Sequence, residues 1–397
     1  MYKYCTKYLS CSILKQRCSL HKTKFEGPVP LFTFVPYFKP KVSMTKRKLQ
    51  IILSAIVTAV VLIGLHFIPG IVRNRTNKET EPLRRIVDVP LRKYMDGNKD
   101  ILRAVVSIKR TGHTKGPWTF ELVRYDDNKP LGSTDLITED RPLVPGGIMQ
   151  AATIAFLMDN GGLQIDERFP TCHGELPGTE IDYHVVYYEK TTGKDSVSVR
   201  EGFLFSSRYC IGKAALETPY FQHAFEERFG DYFGSSTVQE TQYPPADTPS
   251  NRVALASGRG VVLSSRQVVT FYDAIACHGV RSRNWYTRAK RICSRMAADT
   301  VKVLLAQNVM EGTGKFLSDC RSPIAGKTGS GRLENGFRSD GRAIETSSFA
   351  GFFPAASPRY TMCVTIYRRE ALAPGTATAM RIYEEIVTKM DGSGMIW

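Results

Sequence analysis

The sequence of 397 residues predicts a mixed α+β protein in which helices flank an antiparallel sheet, preceded by one transmembrane helix. Strand-like and helical segments are interspersed, and the last of them follow the order helix, strand, two-stranded hairpin, helix. This order is typical of an antiparallel sheet with helices packed on it, and βαβ repeats would not produce it. The transmembrane helix is predicted by a 24-residue segment without Asp, Glu, Lys or Arg.

The net charge of +16 is concentrated before that segment. Residues 1–50 contain eleven Lys or Arg and one acidic residue, Glu26, so they contribute +10 and the remaining 347 residues only +6. Basic residues beside an apolar helix direct that flank to the cytoplasm. We therefore interpret the basic excess as a topology signal, and we expect no nucleic-acid partner.

Four parts of the chain follow from this topology. A basic cytoplasmic tail covers residues 1–48, of which 1–43 are either tail or an untranslated upstream extension of the reading frame. The transmembrane helix covers 49–72, and a polar, proline-containing linker covers 73–101. One domain, residues 102–397, is expected outside the cytoplasm, anchored by a single pass.

Within the domain, the local patterns predict strands and helices in alternating groups. Strands are predicted at 103–110, 119–125, 324–329, 347–355 and 359–368. Helices are predicted at 148–160, 199–217, 265–279, 297–311 and 375–391. The domain's cysteines show no zinc-binding spacing, so we expect buried free thiols, no metal and no other cofactor.

One motif near the C-terminus carries chemical information. An apolar strand there ends on K-T-G followed by serine: Lys327, Thr328, Gly329 and Ser330. K-T-G alone is common, but here E-G-T-G precedes it at 311–314 and F-A-G-F-F-P follows it at 349–354. The combination is far more specific than the motif itself.

With these flanks, most of residues 102–390 resembles the transpeptidase domain of high-molecular-weight penicillin-binding proteins of the septal or side-wall class B type. The resemblance implies the fold of the serine DD-peptidase and β-lactamase superfamily. It also implies a role in peptidoglycan synthesis or division at the bacterial cytoplasmic (inner) membrane. In that family the K-T-G strand binds the peptidoglycan stem peptide or a β-lactam, opposite a Ser-x-x-Lys and a Ser-x-Asn.

The first of these two partner motifs is degenerate. Segment 144–167 has the expected framing, a P-G before an apolar helix, but Gly147 stands at the nucleophile position and Gln150 at the base position. Glycine offers no side chain to acylate, and a neutral amide is no base near neutral pH. We would expect Gly147→Ser with Gln150→Lys to restore part of the acylation unless Arg208 occludes the cleft.

The second partner motif is also altered. Segment 198–216 retains Ser206 and Ser207, but Arg208 replaces the asparagine that the family carries. Arginine is permanently charged and much larger than asparagine, so it is expected to fill or re-charge the floor of the cleft. No catalytic set is therefore intact.

Three functions stay open at this point. An inactive homologue would bind wall peptide or a β-lactam non-covalently, or bind membrane proteins of the wall-synthesis and division machinery. An active D,D-transpeptidase would need a non-standard nucleophile, although losing a catalytic serine costs a serine hydrolase on the order of 10⁶ in rate. A pure scaffold would bind no wall peptide. The paired loss at Gly147 and Gln150 favours the first function.

Overall fold

A six-stranded antiparallel sheet lies at the centre of the part of the chain that the structure, a computed structural model, describes: residues 80–125, 129–177, 179–233, 246–281, 289–333, 343–369 and 375–397. The strands are β1 (Ile101–Arg110), β2 (Trp118–Val123), β3 (Asp135–Ile137), β4 (Pro142–Leu143), β5 (Arg168–Pro170), β6 (Ser196–Ser198), β7 (Leu263–Ser264), β8 (Val280–Arg281), β9 (Lys290–Arg291), β10 (Ala325–Leu333), β11 (Ile344–Phe353) and β12 (Tyr360–Arg369). The central sheet has the order β10-β11-β12-β1-β2-β3, and β4·β7, β5·β6 and β8·β9 form separate pairs.

Helices cover the sheet and confirm the predicted α+β class. They are α1 (residues 80–97), α2 (Gln150–Asn160), α3 (Tyr183–Thr192), α4 (Val199–Leu204), α5 (Arg208–Glu217), α6 (Phe221–Phe233), α7 (Pro249–Ala256), α8 (Ser265–Ala276), α9 (Arg295–Glu311) and α10 (Thr376–Gly392). The predicted transmembrane segment, residues 49–72, lies outside the described residues. Among the residues described, no helix has the length and apolar character needed to cross a membrane.

Strand β1 shows how the sheet receives helices on both faces. Its even-numbered residues in 104–108 are buried and apolar, and they pack in one cluster with α1 and α10. On the other face, Ser107 lies 2.6 Å from Ser265 of α8, measured between the hydroxyl oxygens. The buried Lys109 forms an ion pair there with Asp273 of α8. Because side chains alternate along a strand, each face receives its own set of partners.

The helix α1 corrects the prediction of a linker over residues 73–101. Residues 80–97 are helical, and their apolar side chains recur every four positions. This spacing places them on one stripe of the helix. All four are buried against the sheet: Leu83, Val87, Leu91 and Met95. The linker prediction is wrong for these residues, and the domain therefore begins before residue 102.

The helix α2 anchors the half of the domain that carries the site. Its residues from Gln150 to Leu157 are all buried. The ring of Phe156 lies 5.4–6.3 Å, between centroids, from three phenylalanines of α6 that follow one another at four-residue intervals: Phe221, Phe225 and Phe229. This aromatic packing fixes α2 in the core.

The predicted helix over 199–217 is wrong as a single element, whereas the other predicted strands and helices overlap observed ones. The helical conformation is interrupted between α4 and α5, where Ser206 has a φ of +62°. We call this interruption the α4–α5 break. The Ser207 hydroxyl accepts a hydrogen bond from the Tyr209 N–H and so caps α5. Serine competes well for this position because its side chain satisfies a free N–H at a helix start.

Candidate active site

The residues singled out by the sequence converge on one cavity of about 550 Å³. Strand β10, the turn before α2, the α4–α5 break and the segment before α3 contribute to its wall. Six serine and threonine side chains line it: Ser206, Ser257, Thr313, Thr328, Ser330 and Thr376. Its volume is in the range of small-molecule and peptide sites. Gly147, Gln150, Arg208 and Gly329 line it as well.

Lys327 lies behind this wall and has no exposed surface. Its Nζ donates a hydrogen bond to Ser206 Oγ at 2.7 Å and is 3.5 Å from Thr313 Oγ1. Among the described residues no carboxylate forms an ion pair with it. Burial lowers the pKa of Lys327 from 10.5 to about 7 because it disfavours the charged ammonium. Thr328, by contrast, faces the cavity, and its hydroxyl donates to Thr313 Oγ1 at 2.9 Å.

Gly147 lies directly beside this pair and has no room for a side chain. A Cβ at residue 147 would lie 2.5 Å from Ser206 Oγ, 2.7 Å from the carbonyl oxygen of Thr328 and 3.1 Å from Lys327 Nζ. On strand β10, two residues after Lys327, a Cβ at Gly329 would lie 1.9 Å from the carbonyl oxygen of Pro145. The turn before α2 and strand β10 can therefore approach this closely only because both positions are glycine. Other atoms already occupy the space that a side chain at residue 147 would need.

The close contacts around residue 147 change the result expected from restoring Ser-x-x-Lys at residues 147–150. We expect Gly147→Ser with Gln150→Lys to lower the free energy of unfolding by about 1–3 kcal/mol, because the new side chain meets the backbone of Thr328. We expect no acylation at residue 147. Urea denaturation and peptide mapping by mass spectrometry after exposure to penicillin measure the two effects.

The matched control is Gly230→Ser in α6, where an added Cβ meets nothing within 4 Å. This control should stay within about 1 kcal/mol of the wild type. An acyl group found on a serine at 147, in a chain as stable as the wild type, would contradict the steric argument.

Gln150 takes part in the site through its amide. The side chain is almost fully buried, and its Nε2 donates to the carbonyl oxygen of Ser207 at 3.0 Å. Its Oε1 has no hydrogen-bond partner within the described part of the chain, although it is also buried. Gln150 thus supports the serine loop and leaves an acceptor next to the cavity that Gln150 lines.

Arg208 lines the cavity but does not fill it. The sequence had led us to expect that it would either fill the floor of the cleft or change its charge. Its guanidinium donates to the carbonyl oxygens of Glu180 and Ile181, both at 2.9 Å, and lies 3.6 Å from the Glu180 carboxylate. The arginine therefore holds the segment before α3 against the α4–α5 break. It does add positive charge to the wall, together with the exposed Arg259.

Asp182 is a site residue that no sequence motif indicated. Its buried carboxylate accepts hydrogen bonds from the Ser207 hydroxyl at 2.7 Å and from the Tyr209 N–H at 2.9 Å. It also accepts from the N–H of His184 and so caps α3. One carboxylate thus ties the serine loop to the start of α3. Thr313 was visible in advance only as part of E-G-T-G.

The sheet edge, the buried helix and the serine loop together define a class of protein: an α+β domain of the serine-transpeptidase type, with a glycine at residue 147 before the buried helix. The chain belongs to the penicillin-binding protein transpeptidase domain family, whose model matches residues 124–388. The recognition made from the K-T-G strand and its flanks is thereby confirmed.

Among curated proteins, the chain is 26% identical over 257 residues to the probable peptidoglycan D,D-transpeptidases PenA of Neisseria meningitidis and Neisseria gonorrhoeae. The match covers 61% of this chain but only 43% of those relatives. The chain thus matches less than half the length of the curated relatives.

Solved structures show the same fold at lower identity. The transpeptidase domain of Burkholderia pseudomallei penicillin-binding protein 3 has a TM-score of 0.59 at 16% identity, covering 80% of this chain and 96% of that domain. The transpeptidase domain of the FtsI4 D,D-transpeptidase from Legionella pneumophila has a TM-score of 0.51 at 17% identity, covering 78% and 95%.

Proposed function

We propose that the protein is a membrane-anchored penicillin-binding-protein homologue of bacterial cell-wall synthesis that binds wall peptide without carrying out D,D-transpeptidation. The observation that carries this is a cavity that retains the strand's binding hydroxyls beside Gly147, which has neither a nucleophile nor space for one. Membrane anchoring rests on residues 49–72, and division or wall-synthesis proteins of the inner membrane are its proposed partners.

The peptide is expected to lie along β10. Thr328, Gly329 and Ser330 contribute to the cavity wall, and Arg208 and Arg259 add positive charge to it. A stem peptide that ends in D-Ala-D-Ala carries a terminal carboxylate, which hydroxyls and cations bind well. The same surface accepts the carboxylate of a β-lactam.

Calorimetric titration of a D-Ala-D-Ala pentapeptide into the detergent-solubilised full chain tests the proposal. We expect saturable binding, weakened about three- to ten-fold by Thr328→Val, because a hydroxyl on the cavity wall contributes about 0.5–1.5 kcal/mol through one hydrogen bond. The control is Thr191→Val, an exposed threonine of α3 whose hydroxyl bonds only within its helix. Equal affinity for both variants would place the peptide elsewhere, and no binding at all would favour a pure scaffold.

A further inference from the structure

The α4–α5 break places Ser206 directly beside residue 147. Ser206 Oγ lies 2.5 Å from the point that a Cβ of residue 147 would occupy. The Ser206 hydroxyl thus lies next to residue 147, the position at which the family carries its nucleophile. Ser206 is partly buried and lines the cavity.

A basic group stands directly behind this hydroxyl. Lys327 Nζ is 2.7 Å from Ser206 Oγ, is fully buried, and lies 5.4 Å from the ring centre of the buried Phe203. A lysine buried in this way holds a neutral amine near neutral pH, and a neutral amine accepts a proton from a serine hydroxyl. Nucleophile and base thus have the contact that acyl transfer requires.

The backbone and the local charge also suit Ser206 to this role. Its φ of +62° is a strained conformation for serine, of the kind that persists where the surroundings impose it. The ten-residue helix α5 begins two residues later at Arg208. The positive end of that helix favours negative charge that develops near Ser206, and Arg208 adds positive charge to the wall of the same cavity.

We propose that Ser206 is an acylable nucleophile, with Lys327 as its general base, and that its acyl donors are strained cyclic amides bearing a carboxylate, the β-lactam class. The choice of donor rests on the proposed function, because the cavity must first hold the carboxylate. The attachment site, Ser206 in place of residue 147, follows from the geometry alone.

The step balances without any further reactant. Ser206 Oγ forms a bond to the lactam carbonyl carbon while its proton passes to Lys327 Nζ. The tetrahedral oxyanion then collapses, the ring C–N bond breaks, and the Lys327 ammonium returns the proton to the departing nitrogen. The product is an ester on Ser206, with the lysine again neutral.

A stem peptide is a much poorer donor for the same serine. Its amide is unstrained, so the ring strain that drives lactam opening is absent. Gln150, at the family's base position, cannot transfer a proton for a second, acyl-accepting step. We therefore expect acylation by a lactam and no release of D-alanine from peptide.

The acylation rate should increase with the fraction of Lys327 that is unprotonated. The proton-accepting and charged groups of the same cavity are Glu180, Asp182, His184, Arg208 and Arg259, and those of the neighbouring cavity beyond Thr313 are Glu201 and Glu311. None of them is in hydrogen-bond contact with Lys327 Nζ. A rise of about ten-fold in initial rate between pH 6 and pH 8 is expected.

Fluorescent penicillin, the full chain and peptide mapping by mass spectrometry test the proposal. We expect one label per chain on Ser206, lost in Ser206→Ala, retained in Ser206→Cys, and slowed at least 100-fold in Lys327→Met. Ser393→Ala is the matched control, because that serine is exposed at the end of α10, outside the cavity, and its hydroxyl bonds to the carbonyl oxygen of Met390. It should label like the wild type.

The outcomes separate this inference from the proposed function. An unlabelled wild-type chain that still binds pentapeptide in the calorimeter would overturn the inference alone. A label on any residue other than Ser206 would also overturn it. A label on Ser206 in a chain that binds no pentapeptide would support the dyad and overturn the proposed function.

Discussion

Replacing Lys327 by methionine is expected to remove a pH dependence from the stability of the protein. In the folded chain the pKa of Lys327 is lowered from 10.5 to about 7 by burial. The unfolded chain therefore binds this proton more tightly than the folded chain. Stability then rises with pH between about 7 and 10.5, and the full cost of burying the ammonium is present below pH 7.

The size of the effect follows from the pKa difference. Between pH 6 and pH 9, the free energy of unfolding of the wild type should rise by about 2–4 kcal/mol more than that of Lys327→Met. Urea denaturation at several pH values measures both chains, and groups common to both cancel in the comparison. Parallel pH profiles for the two chains would show that Lys327 is not buried as described.

Replacing Asp182 by alanine is expected to have the second large effect. Its carboxylate accepts from the Ser207 hydroxyl, the Tyr209 N–H and the His184 N–H, and it is almost fully buried. Losing it leaves two buried donors and the cap of α3 poorly satisfied, which should cost about 2–4 kcal/mol of unfolding free energy. The serine loop and the segment before α3 would shift, so pentapeptide affinity should fall at least ten-fold.

The graded control is Asp182→Asn, which keeps one oxygen acceptor and the shape of the side chain. It should lose less than half as much stability as Asp182→Ala. Urea denaturation and calorimetry measure stability and binding in both variants. A cost below about 0.5 kcal/mol for the alanine variant would contradict the role assigned to this carboxylate.

The sheet could be predicted from sequence because its strands are short apolar runs with a regular order. The helix α1 was missed because the polar and proline residues around it obscured the four-residue recurrence of Leu83, Val87, Leu91 and Met95. The break at Ser206 was missed because 199–217 has helical periodicity. At the break, the Ser207 hydroxyl bonds to Asp182, which approaches only in the folded chain.

The sequence was enough to predict which residues form the candidate site, but not the distances between their atoms. The sequence indicated that Gly147 and Gln150 stand where a nucleophile and a base are expected. It could not indicate that Ser206 Oγ would lie 2.5 Å from the position of a Cβ at residue 147, since that depends on how the turn before α2 packs in the folded chain. Nor could it indicate that Arg208 would bond to two carbonyl oxygens and leave the cavity open.

The most direct test of the central claim is a calorimetric titration of the D-Ala-D-Ala pentapeptide into the wild-type chain. Binding without transpeptidation predicts saturable heat from one site, with the signal returning to baseline after every injection. Heat flow that continues after each injection would indicate turnover and contradict the claim. A titration without saturable heat would contradict it as well, because the cavity beside Gly147 would then bind no wall peptide.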